Sequence, residues 1–255
     1  MSFILTVAGT TVLEALRNRL AWLAAAVVGA SLALAQFLNQ VAIAESLQIQ
    51  LALLAALLRV AAVFIVATFV ITSMVREAND KVTELLLSQP VPRSTYFVAK
   101  LAGYSLVAAA LAVGFSLPLA LFAPVSGVLV WAASLMCELM IVASVSLFCV
   151  VSLTQVLSAF AATAGFYLLS RSMTAMQVIA SASVTNEHTI ADSVITAVVN
   201  AIALILPGID RMTRTEWLLG ASPGTGEALG LLGQGALYVV LISSATLFDL
   251  HRKNL

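Results

Sequence analysis

Residues 51–75 read LALLAALLRVAAVFIVATFVITSMV, 25 positions with one charge, Arg59. A helix that crosses the hydrocarbon core of a membrane needs ~20 predominantly apolar residues. At 1.5 Å per residue this run reaches ~38 Å as a helix. No turn signal interrupts it, and no polar periodicity marks a wet face. It predicts a transmembrane helix, and it sets the standard for the rest of the chain.

Five further runs meet or approach that standard. They are Leu20–Leu38, Leu101–Phe122 with Pro118 near its far end, Val128–Val151 with Glu138, Leu153–Arg171, and Leu229–Leu247. Leu20–Leu38 follows Arg17 and Arg19, and Ala33-Leu34-Ala35 imitates a small-x-small cleavage site. At 19 residues it exceeds the ~7–15 of a signal-peptide core, so it is expected to be an uncleaved first span. Of the 255 residues 62% are hydrophobic and 9% charged, with a mean hydropathy of +1.08. Ordinary soluble domains carry about 25% charged residues, so this chain could not keep a soluble surface wet. The expected fold is all-α: a single polytopic domain, residues 1–255, with six transmembrane helices.

Ahead of the first span, Thr6, Thr10, Glu14 and Asn18 recur every fourth residue, with Phe3, Leu5, Val12, Leu13 and Leu16 around them. Residues 1–19 are therefore expected to form an amphipathic helix on membrane lipid. Residues 172–226 are the least regular part. Within them Ser193–Leu206 is apolar but short: 14 helical residues reach only ~21 Å. Pro207-Gly208 stops it. A short run of this kind suits a re-entrant segment before the last span better than a crossing. Asn200, Pro207, Asp210 and Arg211 would then line an outer gate. A seventh, tilted span extended by Ile190 and Ala191 is the rival reading.

Lys and Arg in short loops set orientation. With the N-terminus inside and six spans, Arg17, Arg19, Arg76, Lys81, Arg93, Lys100, Arg252 and Lys253 are cytoplasmic, and only Arg211 and Arg214 lie outside. Seven spans would move Arg211 and Arg214 in and Arg252 and Lys253 out. The bias thus puts the N-terminus inside on either count; six spans also put the C-terminus inside. Net charge is zero, which gives no argument for a nucleic-acid partner.

The main cytoplasmic interruption is residues 76–100, REANDKVTELLLSQPVPRSTYFVAK. Glu77, Asp80, Lys81 and Glu84 are charged, Leu85, Leu86 and Leu87 apolar, and Pro90-Val91-Pro92 breaks the helix. Here the sequence resembles the ABC type-2 permease family. Those proteins have an acidic helix after the second span, then Leu-Leu-Leu-Ser, a Pro-x-x-Arg turn, and a Lys entering the third span. The matching residues are Glu84 to Ser88, Pro90 to Arg93, and Lys100. The family has Gly-Thr before the Leu run, where this chain has Lys81-Val82. Within the family the stretch is most similar to permeases associated with maturation of multi-copper enzymes, such as nitrous oxide reductase.

The resemblance implies a non-catalytic subunit in a bacterial or archaeal cytoplasmic membrane. It implies an ATP-binding cassette ATPase docking on residues 76–98 through Glu77, Asp80, Lys81, Glu84, Leu85, Pro90 and Arg93. It implies a second permease copy or a similar permease beside it, and export as the direction of transport. No GxxxxGK[ST] loop occurs, so ATP would be hydrolysed by the separate chain. No cofactor and no metal site are expected.

Three charges fall in or near apolar runs: Arg59, Glu138 and Arg171. Such residues are expensive in a membrane and pair or face a cavity. A structural ion pair and a role in the transport pathway are both open, with Arg59 the first candidate partner of Glu138. Cys137 and Cys149 would lie ~18 Å apart on one helix, too far to bridge. Two rival functions share the topology. A non-transporting scaffold or assembly factor differs only in lacking ATPase coupling. An intramembrane enzyme would need a Ser–His or metal site built on His188 alone, since no Gly-x-Ser-x-Gly, HExxH or Cys/His cluster is present.

Overall fold

A computed structural model describes residues 2–41, 46–80, 92–153, 155–181, 190–221 and 224–252. These residues are all-helical, with no strand among them. The α-helices are α1 (Ser2–Arg17), α2 (Leu20–Val41), α3 (Ser46–Asn79), α4 (Arg93–Ser116), α5 (Val125–Leu153), α6 (Val156–Ser181), α7 (Ile190–Ile205) and α8 (Thr225–Arg252). Short 3-10 turns follow α4 at Leu117–Leu121 and α7 at Ile209–Arg211 and Thr215–Leu219.

The breaks fall where the backbone chemistry requires them. Pro92 is extended (φ −62°, ψ 141°) and caps α4. Pro118 turns the end of α4 into a 3-10 turn. Pro207-Gly208 ends α7. Gly220, at φ +99°, stops the last 3-10 turn in a left-handed conformation that glycine takes without steric cost. Between α1 and α2, Arg19 holds φ +58° and makes a sharp elbow.

Five helical stretches are long and apolar enough to cross a membrane: Leu20–Phe37, Leu47–Asn79, Ser94–Leu121, Val125–Leu153 and Gly226–Arg252. A sixth candidate is the bent pair Val194–Ile205 and Ile209–Leu219, which turns through 71°. The expected span Leu153–Arg171 corresponds to α6, which is not among the five. Its 26 residues suffice in length, but Thr163, Tyr167, Ser170, Arg171, Ser172 and Thr174 dilute its apolar content. The helix also runs ten residues past Arg171, because 172–181 contains neither Gly nor Pro to stop it. Likewise α7 begins at Ile190, so Ile190 and Ala191 do extend the short apolar piece, to 16 residues.

α5 is the central post. In its span 78% of residues are buried, against 11% for α2 and 17% for α8. Without a hydrophobic drive between helices in lipid, close packing at small residues carries the association. A Cβ on Gly103 of α4 would lie 2.8 Å from Thr11 Cβ of α1. One on Gly235 of α8 would lie 3.2 Å from Cys137 Cβ of α5. Edge-to-face rings join α3 to α4 (Phe69–Tyr104) and α3 to α6 (Phe64–Phe160).

Pairwise contacts give the directions. Gly235 meets Cys137 and, further on, Ser152 Oγ donates to Asp249 Oδ2 at 2.8 Å, so α5 and α8 run parallel. Thr196 Oγ1 donates to the Ala180 carbonyl and Gln177 Nε2 to Asn200 Oδ1, so α6 and α7 run antiparallel. The expected amphipathic α1 buries Val7, Ala8, Thr11 and Ala15 against its neighbours and leaves Thr6, Thr10 and Asn18 exposed. Both cysteines are free and buried.

Candidate functional site

Two polar constellations interrupt the apolar bundle. The first centres on Glu138, which is fully buried in α5 about 20 Å along from Val125. Tyr167 of α6 donates to its Oε1 at 2.8 Å. Arg171, one turn further along α6, places Nη1 4.0 Å from the same oxygen. Thr213, between the two 3-10 turns, presents Oγ1 2.9 Å from Oε2.

Thr213 is the hub. It is fully buried, and its N–H donates to Ser134 Oγ at 2.9 Å, one turn before Glu138. Its φ of +51° lies in the left-handed region, which a β-branched residue avoids. Arg59 Nη1 of α3 donates to the Thr213 carbonyl at 3.2 Å and lies 3.3 Å from Oγ1. Arg171 Nη1 donates to the carbonyls of Ile209 (2.8 Å) and Met212 (3.2 Å). Two arginines thus grip the backbone of the hairpin that follows α7. Such strain persists only where the surroundings over-determine it, and here four side chains do so. The hairpin also presses against α5 itself: a Cβ on Gly127 would lie 2.1 Å from the Trp217 carbonyl.

The expected pairing of Glu138 with Arg59 is corrected by this geometry. The ion pair at 4.0 Å is with Arg171, and Arg59 instead hydrogen-bonds Thr213, which bonds Glu138. The reason is local: the hairpin inserts Thr213 between α3 and α5, while α6 packs directly on α5.

The expected outer-gate residues lie beside this cluster. Asn200 accepts from Gln177, Asp210 is hydrogen-bonded by Thr174, Pro207 is buried and Arg211 exposed. Arg214 Nη1 pairs with Glu227 at the start of α8 at 3.3 Å.

The second constellation lies at the roots of the 76–98 segment. Glu77, near the end of α3, forms an ion pair with Lys100 of α4 and accepts from Tyr96 Oη at 2.9 Å. Glu14 of α1 forms an ion pair with Arg76 and accepts from Ser73 Oγ at 3.0 Å. Ser73 in turn accepts from Tyr104 at 3.3 Å, and Lys100 sits 3.5 Å from Thr11. α1, α3 and α4 are therefore bolted together at the end of α3 and the first turns of α4. Beside the bolt, Thr10, Glu14, Arg17, Asn18 and Arg76 line an open cleft of about 420 Å³. Asp80 is exposed at the end of α3. Arg93 opens α4. Lys81, Glu84, Leu85 and Pro90 lie outside the described residues.

Sequence reasoning found the three intramembrane charges but not Thr213, Tyr167 or Ser134. Two carried a signal: Tyr167 precedes Arg171 by four residues and Ser134 precedes Glu138 by four, each sharing a helix face. Thr213 carried none, because only the fold brings it there. No family model matches the sequence, and no curated protein shows significant similarity to it.

Proposed function

We propose that this chain is the membrane permease subunit of an ABC transporter, an exporter driven by a separate ATPase that docks on residues 76–98. The observation that carries the reading is the paired ion-pair bolt at the roots of that segment. A docking element transmits force only if its ends are fixed to the helices it must move. Glu77–Lys100 fixes α3 to α4, and Glu14–Arg76 fixes α1 to α3. The order Leu85-Leu86-Leu87-Ser88, Pro90-Val91-Pro92-Arg93 and Lys100 supplies the family resemblance.

The same reading takes α6 as a span, giving six, with α7 and its hairpin re-entrant. Support comes from helix direction. α5 and α8 are parallel, so they start at one face of the bundle. On this reading α6 returns to that face, and the stretch between α6 and α8 begins and ends there. By charge bias that face is the outer one, and both termini are cytoplasmic. The scaffold alternative shares this topology and lacks only the ATPase.

The test is capture of the tagged chain from its native membranes, followed by ATP hydrolysis assayed on the captured material. Wild type carries ATPase activity with it. Glu84→Lys and Arg93→Glu, which reverse charge in the docking segment, lose most of it at unchanged chain yield. Full activity in both variants would remove the docking assignment.

A further inference from the structure

The Glu138 cluster does not balance its charge. Two guanidinium groups, Arg59 and Arg171, meet one carboxylate. A charge held away from water in a low-dielectric bundle needs a counter-charge or a cavity. By helical register all three groups lie ~15–20 Å from the nearest ends of α3, α5 and α6.

The donors are also incompletely used. A guanidinium has five N–H donors in a planar fork. Both hydrogen bonds of Arg59 to Thr213 are made by Nη1, Tyr167 lies within its reach as well, and its Nε is buried without a partner. Arg171 likewise bonds through Nη1. The Nε–Nη2 edge of Arg59 is the edge that grips an oxyanion through two parallel bonds. Glu138 does not fill it: its oxygens accept from Tyr167 and Thr213, and no hydrogen bond joins it to Arg59 directly.

We infer that Arg59 and Arg171 form a binding site for an oxyanion, a phosphate or carboxylate group carried by the cargo or by a lipid headgroup. The inference deepens the permease reading by naming the class of ligand in the pathway. The anion seats on the Nε edge of Arg59, shares Arg171 with Glu138, and offsets the excess positive charge of the cluster. Because Arg171 also holds the carbonyls of Ile209 and Met212, an arriving anion loosens that grip and frees the hairpin to move. Glu138 is the built-in competitor, holding Arg171 while the site is empty.

The test uses the isolated full-length chain in nanodiscs, with no ATPase and no ATP, so loss of ATPase coupling would leave it unaffected. Trp217 in the hairpin and Trp131, one turn from Ser134, report by fluorescence; exposed Trp22 is replaced by Phe. Inorganic phosphate is titrated into phosphatidylcholine discs, and a parallel series varies the phosphatidylglycerol content. A saturable change with phosphate identifies a soluble oxyanion, and one seen only with phosphatidylglycerol identifies a headgroup. Arg59→Gln and Arg171→Gln bind at least ~10-fold more weakly, the loss expected for one charge-assisted hydrogen bond. Arg59→Lys keeps the charge and the fold but lacks the fork, and it too binds more weakly. Glu138→Gln removes the competitor and binds more tightly, which a merely structural carboxylate would not produce. No response to either ligand in folded wild type, or equal affinity in wild type and Arg59→Lys, overturns the site.

Discussion

Thr213 places a β-branched side chain in left-handed backbone, a cost of ~1–2 kcal/mol that its surroundings must offset. They do so through the Ser134 hydroxyl, the Glu138 carboxylate and two arginines. Thr213→Val keeps the shape and removes the hydroxyl, leaving Glu138 Oε2 without its neutral donor. Destabilisation of ~1–3 kcal/mol follows, read as a lowered unfolding midpoint in detergent. Thr213→Gly also loses the hydroxyl but relieves the backbone, so it falls less than Thr213→Val. If the glycine variant is the less stable of the two, the strained backbone is not a real cost. At this scale the sequence was partly legible. A lone acid and lone arginines in apolar runs stand out by composition, so Arg59, Glu138 and Arg171 were readable. Their partner choice was not, because it depends on Thr213, which arrives from 42 residues beyond Arg171 in the chain.

At the scale of elements, glycines separate packing from propensity. Gly127→Ala drives a methyl group into the Trp217 carbonyl, so the hairpin must lift from α5. Overpacking of this kind costs ~1–3 kcal/mol. The hairpin's displacement registers as a red shift and loss of the buried Trp217 emission. Gly165 of α6 has nothing within 4 Å of an added Cβ, so Gly165→Ala is neutral or stabilising by up to ~1 kcal/mol. Equal destabilisation by both substitutions would mean that the close approach at Gly127 is not a tight one. Helix ends were legible wherever Pro or Gly set them, at Pro92, Pro118 and Pro207. The end of α6 was not. The polar pair Arg171-Ser172 reads as a membrane boundary, but a boundary in polarity is not a break in backbone hydrogen bonding, and the helix continues to Ser181.

For the whole molecule, the all-helical character and the membrane setting follow from composition alone. The number of crossings does not, because α6 is diluted by polar side chains, Tyr167 and Arg171 of the cluster among them, and α7 is short. Single cysteines in a background lacking Cys137 and Cys149 address this. Thr213 is unsuitable as a reporter because it is buried, whereas Glu216 and Arg252 are exposed. A membrane-impermeant thiol reagent on intact cells labels Glu216→Cys and spares Arg252→Cys if α7 returns to the outer face. The reverse pattern would mean that α7 crosses.

On the permease reading, a cytoplasmic ATPase and the Glu138 cluster belong to one machine. A scaffold could hold an ATPase without feeling what happens ~25 Å away along α3, the distance from Arg76 to Arg59. A permease could not, since the helices that carry the cluster are the ones its ATPase must move during each turnover. The decisive measurement is the ATP hydrolysis rate per captured complex, in nanodiscs, for wild type and for Arg171→Gln at matched ATPase content. A change of about fivefold or more is expected for one machine, the size of an ordinary coupling between sites. An identical rate per complex would contradict it and leave a membrane scaffold in its place.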